Sequence, residues 1–591
     1  MLREYQLTNF KAFAGPEKLP IRPITLIYGP NSSGKSSVLQ SLLLLKQTLQ
    51  EAEDPDTVLL PKGNLVNLGS YREFVHRHDV SESFSFKVKL KLDELELQED
   101  FWKIVPKDFE LAPILELQVT FAYDKETSKV VLSSIELFMG DDPSSLICYR
   151  PLEQNSRPDE SESTQKTTLK REQINYDHQL WGRWYGRKLR MMKYNISQEG
   201  QRIFQKYKLH EHQKGWQKKW PYILYDIEQG LRKIIEEAEK EGIDNIKGIK
   251  KLELKVYGYL EANITNIKEV KARLYLIKSL IRLGEHFKDY SLDKAKEDLS
   301  KYWIDSYLYC RLFLPVRSND QYNKDFPPSE VWKLSNFYEL FPSFLSYKPK
   351  NPPIISDLII LASKACRSLF EEMTYIGPLR EYPERIYTFS GNTGRQVGKS
   401  GKMLPDILFK NSELLQQVND QLGRFDLGYE FKVAEFTNAE TGKISDIFAL
   451  QLIDEYTRVN VSLQDVGFGI SQVLPIIVQS MLSRNTTLLF EQPEIHIHPR
   501  LQAELGSLLA ECIKPPINNQ FIIETHSEHL MLRLQKLIRK GELKPEDISV
   551  IYVDRGAEGS KCLSLRLDED GDFIDEWPDG FFEEDFNEMF G

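Results

Sequence analysis

The sequence contains no CxxC pair. Its five cysteines, Cys148, Cys310, Cys366, Cys512 and Cys562, are scattered along 591 residues. Neither a cysteine-based zinc site nor a disulfide framework is expected, and the thiols read as reduced core or surface groups. Long apolar runs are also missing. None approaches the roughly 20 residues that span a bilayer, and the charged opening MLREYQLTNFKAF has no signal-peptide core. The expectation is a cytoplasmic protein without membrane contact. Fixed-period repeats and long heptad runs are lacking, which excludes a solenoid or a coiled-coil arm. Positive charge is in deficit as well: 77 Lys and Arg face 88 Asp and Glu, a net charge of −11. That balance argues against a chain that coats nucleic acid over its whole surface.

What is present is ordinary globular composition, 41% apolar and 28% charged, in a chain long enough for two or three domains. The average hides a charge asymmetry. Residues 166–220 carry 14 Lys and Arg against 4 Asp and Glu, net +10, whereas residues 545–591 carry 3 against 15, net −12. The strand candidates REYQLTNF and PITLIYG, the helix SGKSSVLQSLLLLKQTLQ and the alternating FSFKVKLKLDELEL give the N-terminal part α/β texture. Residues from about 140 to 172 read as a loop or linker, those from 173 to 370 as mostly helical, and α/β texture resumes after TYIGPLREYPERIY. The expected division is 1–140 and 371–540 as two halves of one α/β unit, 141–370 as linker and helical insertion, and 541–591 as a small acidic module.

Two stretches carry chemistry. ITLIYGPNSSGKSSVLQ holds Gly29-Pro-Asn-Ser-Ser-Gly34-Lys35-Ser36, a complete GxxxxGK[ST] between an apolar strand and a helix. That context makes it a phosphate-binding loop: glycines let amides wrap phosphates, Lys35 reaches the β and γ phosphates, and the Ser36 hydroxyl ligates Mg²⁺. GRQVGKS, residues 394–400, has three residues between its glycines and follows the polar turn FSGNT, so it reads as a loop. The second stretch, LLFEQPEIHIHP, ends an apolar strand on Glu491, an acid suited to holding Mg²⁺ through water. Its His496 and His498 also suggest zinc, but no HExxH or cysteine partner accompanies them. Further on, FIIETHSEHL ends another apolar strand and places His526 to meet a γ-phosphate.

The order LTNFKAF, GPNSSGKSS, DVGFGISQVLPIIVQ, FEQPEIHIHP and ETHSEH resembles the ABC-type ATPase heads of the RecF, SMC and OLD (overcoming lysogenization defect) group. More narrowly it resembles bacterial stand-alone ATPases with EEPE or EQPE followed by LHP, many encoded in anti-phage defence systems such as Septu. The resemblance covers roughly residues 1–90 and 370–591. It implies an ABC-type P-loop head assembled from both chain ends, binding ATP and Mg²⁺, with a mostly helical insertion. It makes Gly29, Asn31, Ser32, Ser33, Gly34, Lys35, Ser36 and Ser37 the Walker A loop and Glu491 the Walker B acid. His498 and Pro499 fall in the D-loop, and His526 is the switch histidine. Asp465 to Gln472 stands where the signature motif belongs but departs from LSGGQ: Gly467 or Asp465 replaces the serine, Gly469 follows, and Ser471 comes later. In such heads the signature of one copy completes the nucleotide site of another, so a homodimer or higher oligomer is implied.

The catalytic glutamate of such sites normally follows the Walker B acid, and here that residue is Gln492. A neutral amide is no general base, so three outcomes stay open: slow turnover, base work by Glu491 or Glu494, or orientation of water by the amide. Slow turnover is favoured, because Glu491 is committed to Mg²⁺ and Glu494 lies past a proline turn. The basic segment Lys166 to Trp220 interleaves Trp181, Trp184, Tyr185, Trp216 and Trp220 with cations, which suits nucleic acid or an acidic protein partner; the alternative is a solvated helical face. Asp568, Asp570 and Asp572 form a DxDxD, yet no Toprim opening strand accompanies them. The function expected is an ATP-binding, slowly hydrolysing regulator of a separate effector, such as a nuclease, in anti-phage defence. The alternatives are a RecF-like repair or chromosome-maintenance ATPase, and a self-contained metal-dependent nuclease.

Overall fold

The computed structural model describes residues 1–52, 57–91, 114–126, 128–139, 145, 147–151, 169–174, 353–391, 393–437 and 444–578. The first strands are β1 (Leu2–Thr8), β2 (Glu17–Pro20) and β3 (Ile24–Tyr28), followed by helix α1 (Lys35–Glu51) and the short α2 (Tyr71–Phe74). Strands β4 (Phe84–Lys91), β5 (Ile114–Asp124), β6 (Lys129–Met139), β7 (Ile147–Pro151) and β8 (Leu169–Ile174) come next, then α3 (Pro353–Glu372). After β9 (Thr374–Ile376) and β10 (Tyr387–Thr388) come α4 (Leu404–Lys410), α5 (Ser412–Arg424), β11 (Tyr429–Thr437), β12 (Ile444–Asp454) and β13 (Asn460–Ser462). The last part holds α6 (Phe468–Leu482), β14 (Thr487–Glu491), α7 (Pro499–Cys512), β15 (Gln520–Glu524), α8 (Glu528–Arg539), β16 (Ile548–Gly556) and β17 (Gly559–Leu565).

A six-stranded sheet in the order β17-β16-β3-β15-β14-β9 joins the two ends of the chain, because β3 lies between β16 and β15. Its strands are parallel except β17, and ITLIY, TLLFE and QFIIE are apolar runs with both faces covered. Alternate residues divide between two cores. Ile27, Leu489 and Ile522 pack toward α1, α3 and the antiparallel sheet, whereas Leu26, Phe490, Phe521 and Ile523 pack toward α4 to α8. The antiparallel sheet has seven strands in the order β2-β1-β4-β5-β6-β7-β8. A smaller sheet pairs β12 with β10, β11 and β13.

Lys46, buried inside α1, donates to the carbonyls of Phe370 and Glu371 at 2.9 and 3.1 Å, where α3 runs out of intrahelical donors. One cation thereby ties the two helices that separate the large sheets.

One reading changes. The stretch 140–172 is more than a linker: ICYRP pairs with β6, and β8 pairs with β7, because a neighbouring ladder satisfies backbone groups that a short polar sequence does not advertise. Of the expected helical insertion, α3 is described; the amphipathic stretches of 227–287 and the basic segment beyond Ile174 lie outside the described residues. Among the described residues no helix is long and apolar enough to cross a membrane.

Candidate functional site

Strand β3 ends at Tyr28 and the chain turns through Gly29 to Gly34 before α1 begins at Lys35. Geometry demands two of the glycines. Gly29 has φ +138° and a Cβ there would sit 2.4 Å from the Val553 carbonyl oxygen; Gly34 has φ +108° and its Cβ would meet the Ala12 methyl at 2.8 Å. The first amides of a helix have no partner within it, so such a loop favours anions. Lys35 is buried, and its Nζ donates to the carbonyls of Gly29 and Pro30, both at 2.8 Å. Burial lowers its pKa, and the carboxylates of Glu524 and Glu494 oppose that shift. Asn31 and Ser32 are exposed at the tip, Ser37 is buried in the first turn, and the buried Ser33 Oγ has no hydrogen-bond partner.

Three glutamates meet this loop, and strand register explains why. Glu491 and Glu524 are opposite each other at the ends of parallel β14 and β15, and Glu524 is opposite Ile27 in β3, two residues before the loop. Glu524 is only 3% exposed; its Oε1 accepts from the Ser36 hydroxyl at 2.8 Å, and its Oε2 is buried with no hydrogen-bond partner. Burial, with the nearby carboxylates, pushes its pKa up to about 7, while the Ser36 hydrogen bond pulls it back. Glu491 Oε2 accepts from the Tyr375 hydroxyl at 2.5 Å. Glu494 accepts the Thr525 hydroxyl at 2.8 Å and the His526 amide at 2.7 Å, so both its oxygens hold the loop after β15. Burial raises the Glu494 pKa against those bonds. It lowers that of the His526 imidazole, and Lys35 adds to that shift, both favouring the neutral ring.

Gln492 is fixed by its main chain. It has φ +45°, its amide donates to the Glu524 carbonyl at 2.8 Å, and its carbonyl accepts from Arg380 at 3.3 Å. Burial draws the Arg380 guanidinium down to about 10, opposed by the Glu494 carboxylate. Downstream, the His498 Nδ1 accepts the Arg500 amide at 3.2 Å and caps α7, while the His496 ring stands edge-on to Phe468. Among the described residues no group of three His, Cys, Asp or Glu is arranged to hold a metal.

The start of α6 forms a second patch. Gly467 is its N-cap, and a Cβ on Gly469 would lie 3.1 Å from the His496 carbonyl, so the helix start and the 496–498 turn touch. Ser471 is buried within α6 and donates to the Phe468 carbonyl at 2.7 Å, so its hydroxyl serves its own helix. Asp465 is held by a two-pronged contact with Arg385 at 2.7 and 2.8 Å. The loop 394–400 turns Lys399 onto the Leu65 carbonyl. In the tail, Asp568 Oδ1 accepts the amides of Asp570 and Asp572, the arrangement of a tight acidic turn.

The structure thus brings Gly29 to Ser37, Glu491, Gln492 and His526 together at the strand ends, and sets the start of α6, with Gly467 and Gly469, against the 496–498 turn. Sequence reasoning missed Glu524, Tyr375 and Arg380. Glu524 had a signal, because QFIIE repeats the apolar-run-then-acid pattern of TLLFE. Tyr375 and Arg380 reach the site from the far side of β14, and nothing in their local sequence marks that.

A parallel sheet whose central strand feeds a glycine-bearing loop and a helix, with acids at the neighbouring strand ends, defines an α/β P-loop protein. The chain belongs to the AAA ATPase domain family, whose model matches residues 1–531. A second family model, a protein of unknown function (DUF3696), matches residues 543–590. No curated protein matches the chain. Among solved structures, the Smc head domain with an extended coiled coil from Pyrococcus furiosus, bound to the C-terminal domain of ScpA, is 11% identical with a TM-score of 0.34, covering 96% of each chain. The SMC head domain from Thermotoga maritima is 9% identical with a TM-score of 0.32, covering 96% of this chain and 99% of that one. Likeness at that level decides nothing further about this chain.

Proposed function

We propose that this ATPase-family chain binds ATP with Mg²⁺ at the loop before α1, hydrolyses it slowly, and uses the ATP-bound state as a clamp between two copies, in the manner of ABC and SMC heads. Lys35 and the loop amides of Gly29 to Ser37 hold the phosphates, Ser36 and Glu491 hold the cation, and His526 faces the γ-phosphate. The buried, unpartnered Ser33 Oγ and Glu524 Oε2 fit a site meant for a polar ligand. Mg²⁺, when bound, neutralises phosphate oxygens and polarises the terminal phosphoryl group. His498, Gly467 and Gly469 lie on the face offered to the second copy. There the rings of Tyr382 and Phe468, 61% and 43% exposed, stack 6.1 Å apart and leave an apolar patch to be covered.

One observation carries the slow-turnover reading: at the position of the expected base stands Gln492, and the carboxylates flanking it are engaged. Glu491 is bonded to Tyr375 and Glu494 to Thr525 and His526. A water molecule attacking phosphate finds an amide with no proton affinity to offer. The test is a single-turnover assay paired with sizing by light scattering. ATP, and not ADP, should convert the chain to a dimer that persists far longer than one mixing time. Rapid repeated turnover without a dimer would contradict the proposal.

The wider reading rests on the resemblance to stand-alone defence ATPases: the clamp controls a separate effector, a nuclease, with the basic segment Lys166 to Trp220 meeting nucleic acid and the acidic tail docking a basic partner. Expression of the chain alone, of its genomic neighbour alone, and of both in phage-challenged cells tests it. Protection by the pair only is expected. Protection by neither, together with sensitivity to DNA damage when the gene is deleted, would favour a repair ATPase.

A further inference from the structure

We infer that Glu524 is a second carboxylate ligand of the nucleotide-bound divalent cation, so that this site grips the cation with two acids, from the ends of β14 and β15, and the Ser36 hydroxyl in the first turn of α1. The inference rests on the reading of the loop as an ATP–Mg²⁺ site. It begins with register: Glu491 and Glu524 are direct neighbours on parallel strands, so both carboxylates leave the sheet at the same end, beside the loop. Glu524 already holds the hydroxyl assigned to the cation, with 2.8 Å between Ser36 Oγ and Oε1. Its other oxygen is buried without a partner, in a side chain 3% exposed. A buried, unsatisfied carboxylate oxygen is costly, and native proteins keep one where a ligand completes it.

Two further features fit a cation better than a purely structural role. A third carboxylate in the group, Glu494, is taken by Thr525 and the His526 amide, whereas Glu524 is bonded to Ser36 through one oxygen and keeps the other to spare. Lys35 is the neighbouring cation, yet its ammonium is turned onto the Gly29 and Pro30 carbonyls and makes no ion pair with Glu524. Divalent cations of nucleotide sites take one or two carboxylates and complete their shell with phosphate oxygens and water, so no cluster of three protein acids is required. Two acids should bind the cation more tightly than one and accept Mn²⁺ as readily as Mg²⁺, because both are hard ions that favour oxygen. The same pair of charges should repel triphosphate when no cation is present.

That opposition supplies the test. Affinity for a fluorescent ATP analogue is measured with EDTA, with Mg²⁺ and with Mn²⁺ on the full chain and on Glu524→Gln, Glu524→Asp and Lys35→Ala, and Mn²⁺ binding is followed separately by electron paramagnetic resonance. Glu524→Gln should lose about 10- to 100-fold of the metal-dependent gain in affinity. Its metal-free affinity should hold or rise. Glu524→Asp, which keeps the charge on a shorter arm, should recover part of the gain. A merely structural role would instead weaken metal-free and metal-bound affinity together, and that outcome overturns the inference. So does a Glu524→Gln protein whose Mn²⁺ binding equals that of the unaltered chain while Lys35→Ala loses nucleotide. If Lys35→Ala retains full nucleotide affinity, the loop assignment itself falls and takes this inference with it.

Discussion

In the six-stranded sheet every residue of β3 and β15 is buried, whereas along β5 of the seven-stranded sheet buried Leu115, Leu117, Val119 and Phe121 alternate with half-buried Glu116, Gln118 and Thr120. The parallel strands use both faces for packing, so charged side chains leave only where the strands stop. Glu491, Glu524 and the loop after Tyr28 are gathered there. The antiparallel strands keep one partly wet face along their whole length and gather nothing. Charges on it pair locally, as Lys87 and Lys89 do with Glu116 at 2.6 and 2.8 Å. One sheet concentrates its charged groups at its end; the other spreads them over its side.

Substitutions can break that contrast, beginning with the largest effect. Ile522→Ala, in the middle of β15 and 0% exposed, should cost about 2–5 kcal/mol and lower the urea midpoint sharply. Lys35→Ala should leave the midpoint nearly unchanged yet cut ATP affinity by about 100-fold or more, measured by calorimetry. Glu494→Gln keeps one acceptor but loses the charge that holds Thr525 and the His526 amide. It should cost about 1–2 kcal/mol locally, read as faster hydrogen exchange at His526. Gln118→Ala, on the half-buried face of β5, should stay within about 0.5 kcal/mol and leave ATP affinity alone. Equal losses for Ile522→Ala and Gln118→Ala would mean that the two sheets do not differ in the way their burial says.

The same contrast governs what a reader of the sequence can find. Gly29 to Ser36 is legible because strand, loop and helix are contiguous, and Glu491 because it caps an apolar run. The meeting of Glu524 with Ser36 is set by the register of β15 on β3, strands almost 500 residues apart in the chain, and no local pattern encodes it. Tyr375 likewise reaches Glu491 only because β9 borders β14. Ser471 illustrates the converse: spacing offered a hydroxyl near the signature position, and the helix took it for itself. In the antiparallel sheet the alternation of FSFKVKLK is readable, while β7 and β8 are short and polar enough to pass for linker until a partner strand is in view.

If a neutral amide just past β14 makes ATP a clamp instead of a fuel, Gln492→Glu should undo it. The substitution keeps the size of the side chain, and the amide and carbonyl contacts to Glu524 and Arg380 are main-chain bonds that it does not touch. A positioned general base contributes about 10²–10⁴-fold. Single-turnover hydrolysis and the lifetime of the ATP-bound dimer are measured on both proteins. Hydrolysis should accelerate while the dimer lifetime shortens. Hydrolysis that falls or does not change, or a dimer that lives as long as before while hydrolysis rises, would contradict it.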